Sequence, residues 1–180
     1  MKRLFVLCSA VIAIVTMSCE KSSSAPGIPS DMPRTDVPAE LHGNWLHGEF
    51  SLTEYWSTDP STYLGNALEL AFAFTFNSDG TYVQYFTSSS VMNGVTTYHQ
   101  SVTHGTVEVD EATKTIKTHP SSSHYRRTSN GTVAEDRDMR QDELSLSTYQ
   151  YTTGNESNGS SALYLTLDGT SEPLTFLKQE

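Results

Sequence analysis

The sequence has little of what usually announces a function. It holds two cysteines in 180 residues, and one of them, Cys8, falls inside an N-terminal apolar run. With that run removed, Cys19 stands alone and no intramolecular disulfide can brace the fold. Bases are scarce: 11 Lys and Arg face 21 Asp and Glu, a formal net charge of −10. That balance argues against nucleic acid and anionic lipid headgroups as partners. The short motifs of common chemistry are missing too. There is no Cys-x-x-Cys, His-x-His or His-Glu-x-x-His to hold a metal, no Gly-x-Ser-x-Gly turn to raise a nucleophile, and no phosphate-loop spacing. No long amphipathic helical pattern is present either. The expectation is a non-enzymatic protein with no cofactor and no metal.

What is present begins with a leader. Lys2 and Arg3 precede an apolar run of 14 residues, Leu4 to Met17. The run is shorter than the roughly 20 residues that span a bilayer and fits the apolar region of a secretory signal over 1–18. Ser18-Cys19 resembles the processing site of bacterial lipoproteins, in which the cysteine becomes the lipidated first residue. That resemblance implies acylation of Cys19 and attachment to a lipid bilayer. Residues 19–38 are rich in Pro and Ser and nearly devoid of apolar surface, so they read as a flexible tether. A coil of about 20 residues reaches roughly 25 Å. Residues 39–180 make up one domain's worth of chain. Without Lys2 and Arg3, 9 basic residues stand against 21 acidic ones, a formal charge of −12.

The domain reads as antiparallel strands. From Leu68 to Phe76, large Leu68, Leu70, Phe72, Phe74 and Phe76 alternate with small or polar residues, the period of a strand. The turn Asn77-Ser78-Asp79-Gly80 leads into a second strand, where Tyr82, Gln84 and Phe86 share one face. Asn93-Gly94 and Asn130-Gly131 mark further tight turns. Shorter runs, from "NWLHGEFSL" at the front to "LTFLK" at the end, bring the expected total to nine or ten strands. Residues 132–143 are ambiguous. Their polarity suits an edge strand or long hairpin, while a capping-box spacing in Thr132 and Glu135 allows a one-turn helix.

All six histidines fall into three pairs five residues apart: His42/His47, His99/His104 and His119/His124. The repetition suggests a metal site, but strand geometry opposes it. Residues five apart point to opposite faces and sit roughly 16 Å from each other. A cross-strand site joining His99 to His119 or His124 would depend on register. The acidic run Glu135, Asp136, Asp138, Asp142 and Glu143 lacks the ordered spacing of a calcium loop and reads as a solvated face.

Gly43-Asn44-Trp45 opens the first strand. Together with "FNSDGTYVQY" and the "PLTFLK" ending, it resembles the lipocalin-like (calycin-type) small β-barrel lipoproteins of Bacteroidota-type bacteria. The resemblance implies an antiparallel up-and-down barrel of about 8–10 strands, with a β-sandwich as the alternative, on an outer-membrane anchor. It implies that Trp45 closes one barrel end. Lipocalins proper stack a late arginine on that tryptophan; here the last arginine is Arg140 and the late cation is Lys178. The expected function is monomeric binding of a small apolar or amphipathic molecule, or a glycan, by Trp45, Leu70, Phe72, Phe74, Phe76, Tyr82 and Phe86. The alternative is a protein-interaction module, such as an envelope inhibitor or assembly factor, with an exposed apolar patch and no cavity.

Overall fold

The computed structural model describes residues 27–65 and 69–179. The leader, Cys19 and the tether up to residue 26 lie outside the described residues, as do Ala67 and Leu68. Among the described residues there are nine strands in one antiparallel sheet: β1 (Gly43–His47), β2 (Glu69–Phe76), β3 (Thr81–Met92), β4 (Val95–Asp110), β5 (Thr115–Ser129), β6 (Thr132–Asp138), β7 (Ser147–Asn155), β8 (Ser161–Leu167) and β9 (Leu174–Gln179). One short helix, α1 (Ser61–Leu64), sits between β1 and β2. No described helix is long and apolar enough to cross a membrane.

Hydrogen bonding closes a ring. β1 to β5 pair in sequence order, β5 pairs with β7 through Thr115–Thr118, and β8 and β9 return to β1. β6 stands outside the ring, on the far half of β5, where His124–Ser129 carry it. Thr132–Asp138 take the edge-strand form as β6, so the helix start suggested by Thr132 and Glu135 is not used, and a single 3-10 turn follows at Gln141–Glu143. The Glu143 carboxylate accepts the Arg140 backbone N–H at 2.7 Å, and the Arg137 guanidinium holds the Glu143 carboxyl down at a pKa of about 2.

Two strands are longer than the sequence suggests. His104-Gly105 and His119-Pro120 suggest strand ends or bulges from their residue types, and of these the structure shows the bulge: β4 and β5 both run on through them. A bulge between His104 and Gly105 absorbs the irregularity. There the two backbones come so close that a Cβ on Gly105 would lie 2.1 Å from the His119 carbonyl oxygen and 2.7 Å from the Tyr82 ring. Gly105 thus works as a contact point, not a breaker. The first strand is shorter than "NWLHGEFSL", because Gly48 takes φ +84° beside Ala71 and turns the chain off the sheet.

One face of every ring strand points inward. Trp45, Phe74, Tyr82, Val107, Ile116, Tyr151, Leu163, Leu165 and Phe176 form a buried core there. The small alternate face of β2, Ala71 and Ala73, is also fully buried, and Ala71 packs with Leu64, Phe50 and Tyr63 from residues 49–65. Phe50, Tyr55 and Tyr63 interlock on that outer face, with Tyr55 reaching the Phe86 carbonyl and lying 5.1 Å from Tyr85. The aromatic residues of the first half therefore split into an inner set and an outer set.

The end of the expected tether is docked. Thr35 N–H donates to the Val107 carbonyl at 3.0 Å, Val37 N–H donates to Ser78, and Val37 is buried in the core. Residues 33–37 therefore belong with the domain. Their few apolar atoms suffice because open backbone groups of β4 and of the β2–β3 turn receive their hydrogen bonds.

Candidate functional site

Gly43 takes φ +103° and starts β1, which sends the Trp45 side chain inward. Trp45 is 1% exposed, and its indole N–H donates to the Leu41 carbonyl at 2.8 Å. Leu41 and Val37 lie beside it, and Lys178 Nζ stands 5.2 Å from the centre of its ring. A lysine on β9 thus makes the cation–π contact, worth about 0.5–1 kcal/mol at such a site. Phe76 and Tyr82, paired across β2 and β3, fill the same end. This end is solid.

The other end is open. A cavity of about 240 Å³ has Phe74, Leu165 and Phe176 as its floor, each at most 2% exposed. Phe72, Tyr149 and Leu174 form its walls. Its mouth is rimmed by Leu70 (38% exposed) and Leu167 (42% exposed), with Thr170 and Glu172 from the β8–β9 turn. Along β2 the distance from the solid end at Phe76 to the mouth at Leu70 is roughly 20 Å. Phe74 packs against Tyr149 at 5.8 Å and against Phe176 at 5.7 Å. Burial pushes the Tyr149 hydroxyl up from the ordinary tyrosine pKa, so it stays protonated.

The structure brings together three of the seven residues expected to bind a ligand: Leu70, Phe72 and Phe74. Trp45, Phe76 and Tyr82 lie in the solid end, and Phe86 packs tilted against Phe72 at 4.9 Å without lining the cavity. The remainder of the lining comes from the second half of the chain. Leu165 and Leu167 on β8, and Leu174 and Phe176 on β9, alternate visibly in the sequence. What the alternation could not supply was the ring closure that turns them toward β2.

The histidines scatter. His42 bonds the Val37 carbonyl at 2.7 Å, and His47 bonds the Thr175 carbonyl at 2.8 Å while tilting against Phe176. Across strands, His99 faces Arg127, His119 faces Thr106 and His124 faces Val102, so no two histidines pair in register. Burial, aided by Arg127, lowers the His99 pKa, and burial lowers that of His104. Among the described residues no group of three or more His, Cys, Asp or Glu side chains is placed to hold a metal ion.

The acidic run is sorted by strand parity. Glu135 pairs with Arg137 on one face of β6, where Arg137 also holds Glu143. Asp136 and Asp138 turn to the other face, both onto His124, at 2.7 and 2.8 Å. Arg126 joins Asp136 there, donates to the Trp56 carbonyl, and lies over the Trp56 ring at 4.9 Å. Trp56 meets His124 edge-on at 5.1 Å. This cluster clamps residues 49–65 to the β5–β6 hairpin. Only a protonated imidazole can donate to both carboxylates. The hydrogen bond to Asp138 raises the His124 pKa most; burial opposes it, and the hydrogen bond to Asp136 adds to the rise. The group's stabilising contribution is therefore fully present below the unfolded histidine value of about 6.5 and is lost as pH rises through the higher folded value. The expected result is that His124→Asn shifts the urea midpoint markedly at about pH 6 and little at about pH 9. An equal shift at both pH values would contradict the clamp. Trp56 fluorescence reports the same titration.

No protein-family model matches the sequence, and no curated protein matches it.

Proposed function

We propose that the chain is an envelope lipoprotein, acylated at Cys19 on an outer membrane, whose ring of strands is an up-and-down β-barrel of the lipocalin-like kind that holds a small apolar molecule. The observation that carries the reading is the apolar cavity between β2, β7, β8 and β9, open at one end, with Trp45 filling the other end solid. Apart from β6, every strand of the ring neighbours the next in sequence, as an up-and-down barrel requires. Lys178 over Trp45 supplies a cationic partner for the tryptophan at the solid end. An engineered apolar cavity of about 150 Å³ takes benzene, so this one takes roughly ten non-hydrogen atoms.

Naphthalene is the matching probe. Titration of the purified full-length protein should show saturable binding of one molecule per chain, and Leu165→Trp, which fills the floor, should weaken it at least about tenfold. Absence of saturable uptake by the wild-type protein would overturn the reading. It would leave the interaction-module alternative, for which the exposed apolar tips of the β3–β4 and β5–β6 hairpins speak: Val91 (49% exposed), Met92 (75%) and Val133 (53%). These tips lie side by side, because Asn130 N–H donates to the Thr96 carbonyl.

A further inference from the structure

Resting on the cavity reading above, the geometry points to a more specific ligand: we infer that the site takes a small amphipathic molecule whose polar head is a hydrogen-bond donor, best an amine, and that it rejects the matching acid. The argument comes from what the cavity's few polar groups can still do. Three of its lining residues carry a side-chain polar atom: Tyr149, Thr170 and Glu172. The Tyr149 hydroxyl lies in the wall of the cavity, below the rim, with the Ser147 side chain as its neighbour. Thr170 has spent its only O–H, which donates to the Leu167 carbonyl at 2.7 Å, so its oxygen faces the mouth as an acceptor only. Glu172 is exposed, and no hydrogen bond or ion pair of its carboxylate is found among the described residues.

The mouth therefore presents two acceptors, one of them a full negative charge, above a floor and walls that offer carbon and a single tyrosine hydroxyl. A head that donates can be held there. A carboxylate or phosphate head would meet like charge at Glu172, on a chain already at −10 overall. An apolar tail of roughly eight carbons reaches the floor at Phe74 and Phe176 within the available volume. The alcohol, with one donor and no charge, should fall between the two.

The test is calorimetric titration of the purified full-length protein with octylamine, octanol, octanoate and octane near neutral pH. The expected order is amine, then alcohol, then octane and octanoate, with octylamine at least about tenfold tighter than octanoate. Glu172→Gln should shrink that preference to within about threefold while leaving octane unchanged. Glu172 lies in an exposed turn, so its replacement should leave the fold intact, and circular dichroism checks this. Octanoate binding as tightly as octylamine, or a preference that survives Glu172→Gln, would overturn the donor-head inference while leaving the cavity reading in place. If none of the four ligands binds, the cavity reading itself falls, and the inference with it.

Discussion

Trp45→Ala should lower the free energy of unfolding by about 3–5 kcal/mol, the range for deleting a fully buried large aromatic. Three losses coincide at this site. The indole surface leaves a void among Phe74, Phe76, Tyr82 and Phe176, at the solid end of the ring. The Leu41 carbonyl loses its 2.8 Å donor and stays buried. Lys178 loses its ring, which leaves an ammonium stem over a hole. The opening also admits water to the end where residues 35–37 dock, so the N-terminal segment should detach as well. Urea denaturation followed by circular dichroism measures the first effect, and amide exchange at Thr35, Val37 and Val109 the second. A change below about 1 kcal/mol would show that Trp45 is not packed as described.

Gly105→Ala should be the next most damaging single change, at about 3 kcal/mol or more, above the usual cost of overpacking by one methyl. The added carbon would sit 2.1 Å from a backbone carbonyl, that of His119, and 2.8 Å from the Cα of Pro120. Neither can swing aside, so β4 and β5 must separate at the bulge, within the longest ladder of the sheet. Gly43→Ala supplies the contrast. Its φ of +103° strains any side chain, yet the nearest obstacle is the flexible Lys178 stem at 3.6 Å. That substitution should cost only about 1–2 kcal/mol, the price of the backbone conformation. If the two variants unfold at the same urea concentration, the close approach at Gly105 is not there.

These sites also mark where the sequence was legible and where it was not. The alternation through Phe72, Phe74 and Phe76 is local physics, and the strand follows from it directly. Asn93 and Asn130 take φ of +53° and +46°, each before a glycine, as two-residue hairpin turns demand. By contrast, Gly105 and Pro120 read as punctuation, because a glycine or proline is ambiguous until the opposing strand is known. Residues 49–65 are hidden for a related reason. Their aromatic residues follow no strand or helix period, since they cover the outside of a sheet instead of joining it. The cavity was half legible. Leu70, Phe72 and Phe74 follow from parity on one strand, while Leu165, Leu174 and Phe176 face them only through pairings formed by distant segments.

The pairing of β1 with β9 has a consequence in time. Asn44 lies opposite Gln179, so the first strand finds its second neighbour only when the last one exists. A chain that emerges N-terminus first can fold β2 to β5 as a meander early, since those pairings are local. β1 must wait with one edge bare, and Trp45 without Lys178, until nearly the whole polypeptide has emerged. Joining the two extremities of the domain is therefore the least local step of its assembly. A chain arrested a few residues short of Gln179 would present two open sheet edges to every neighbour in the same condition.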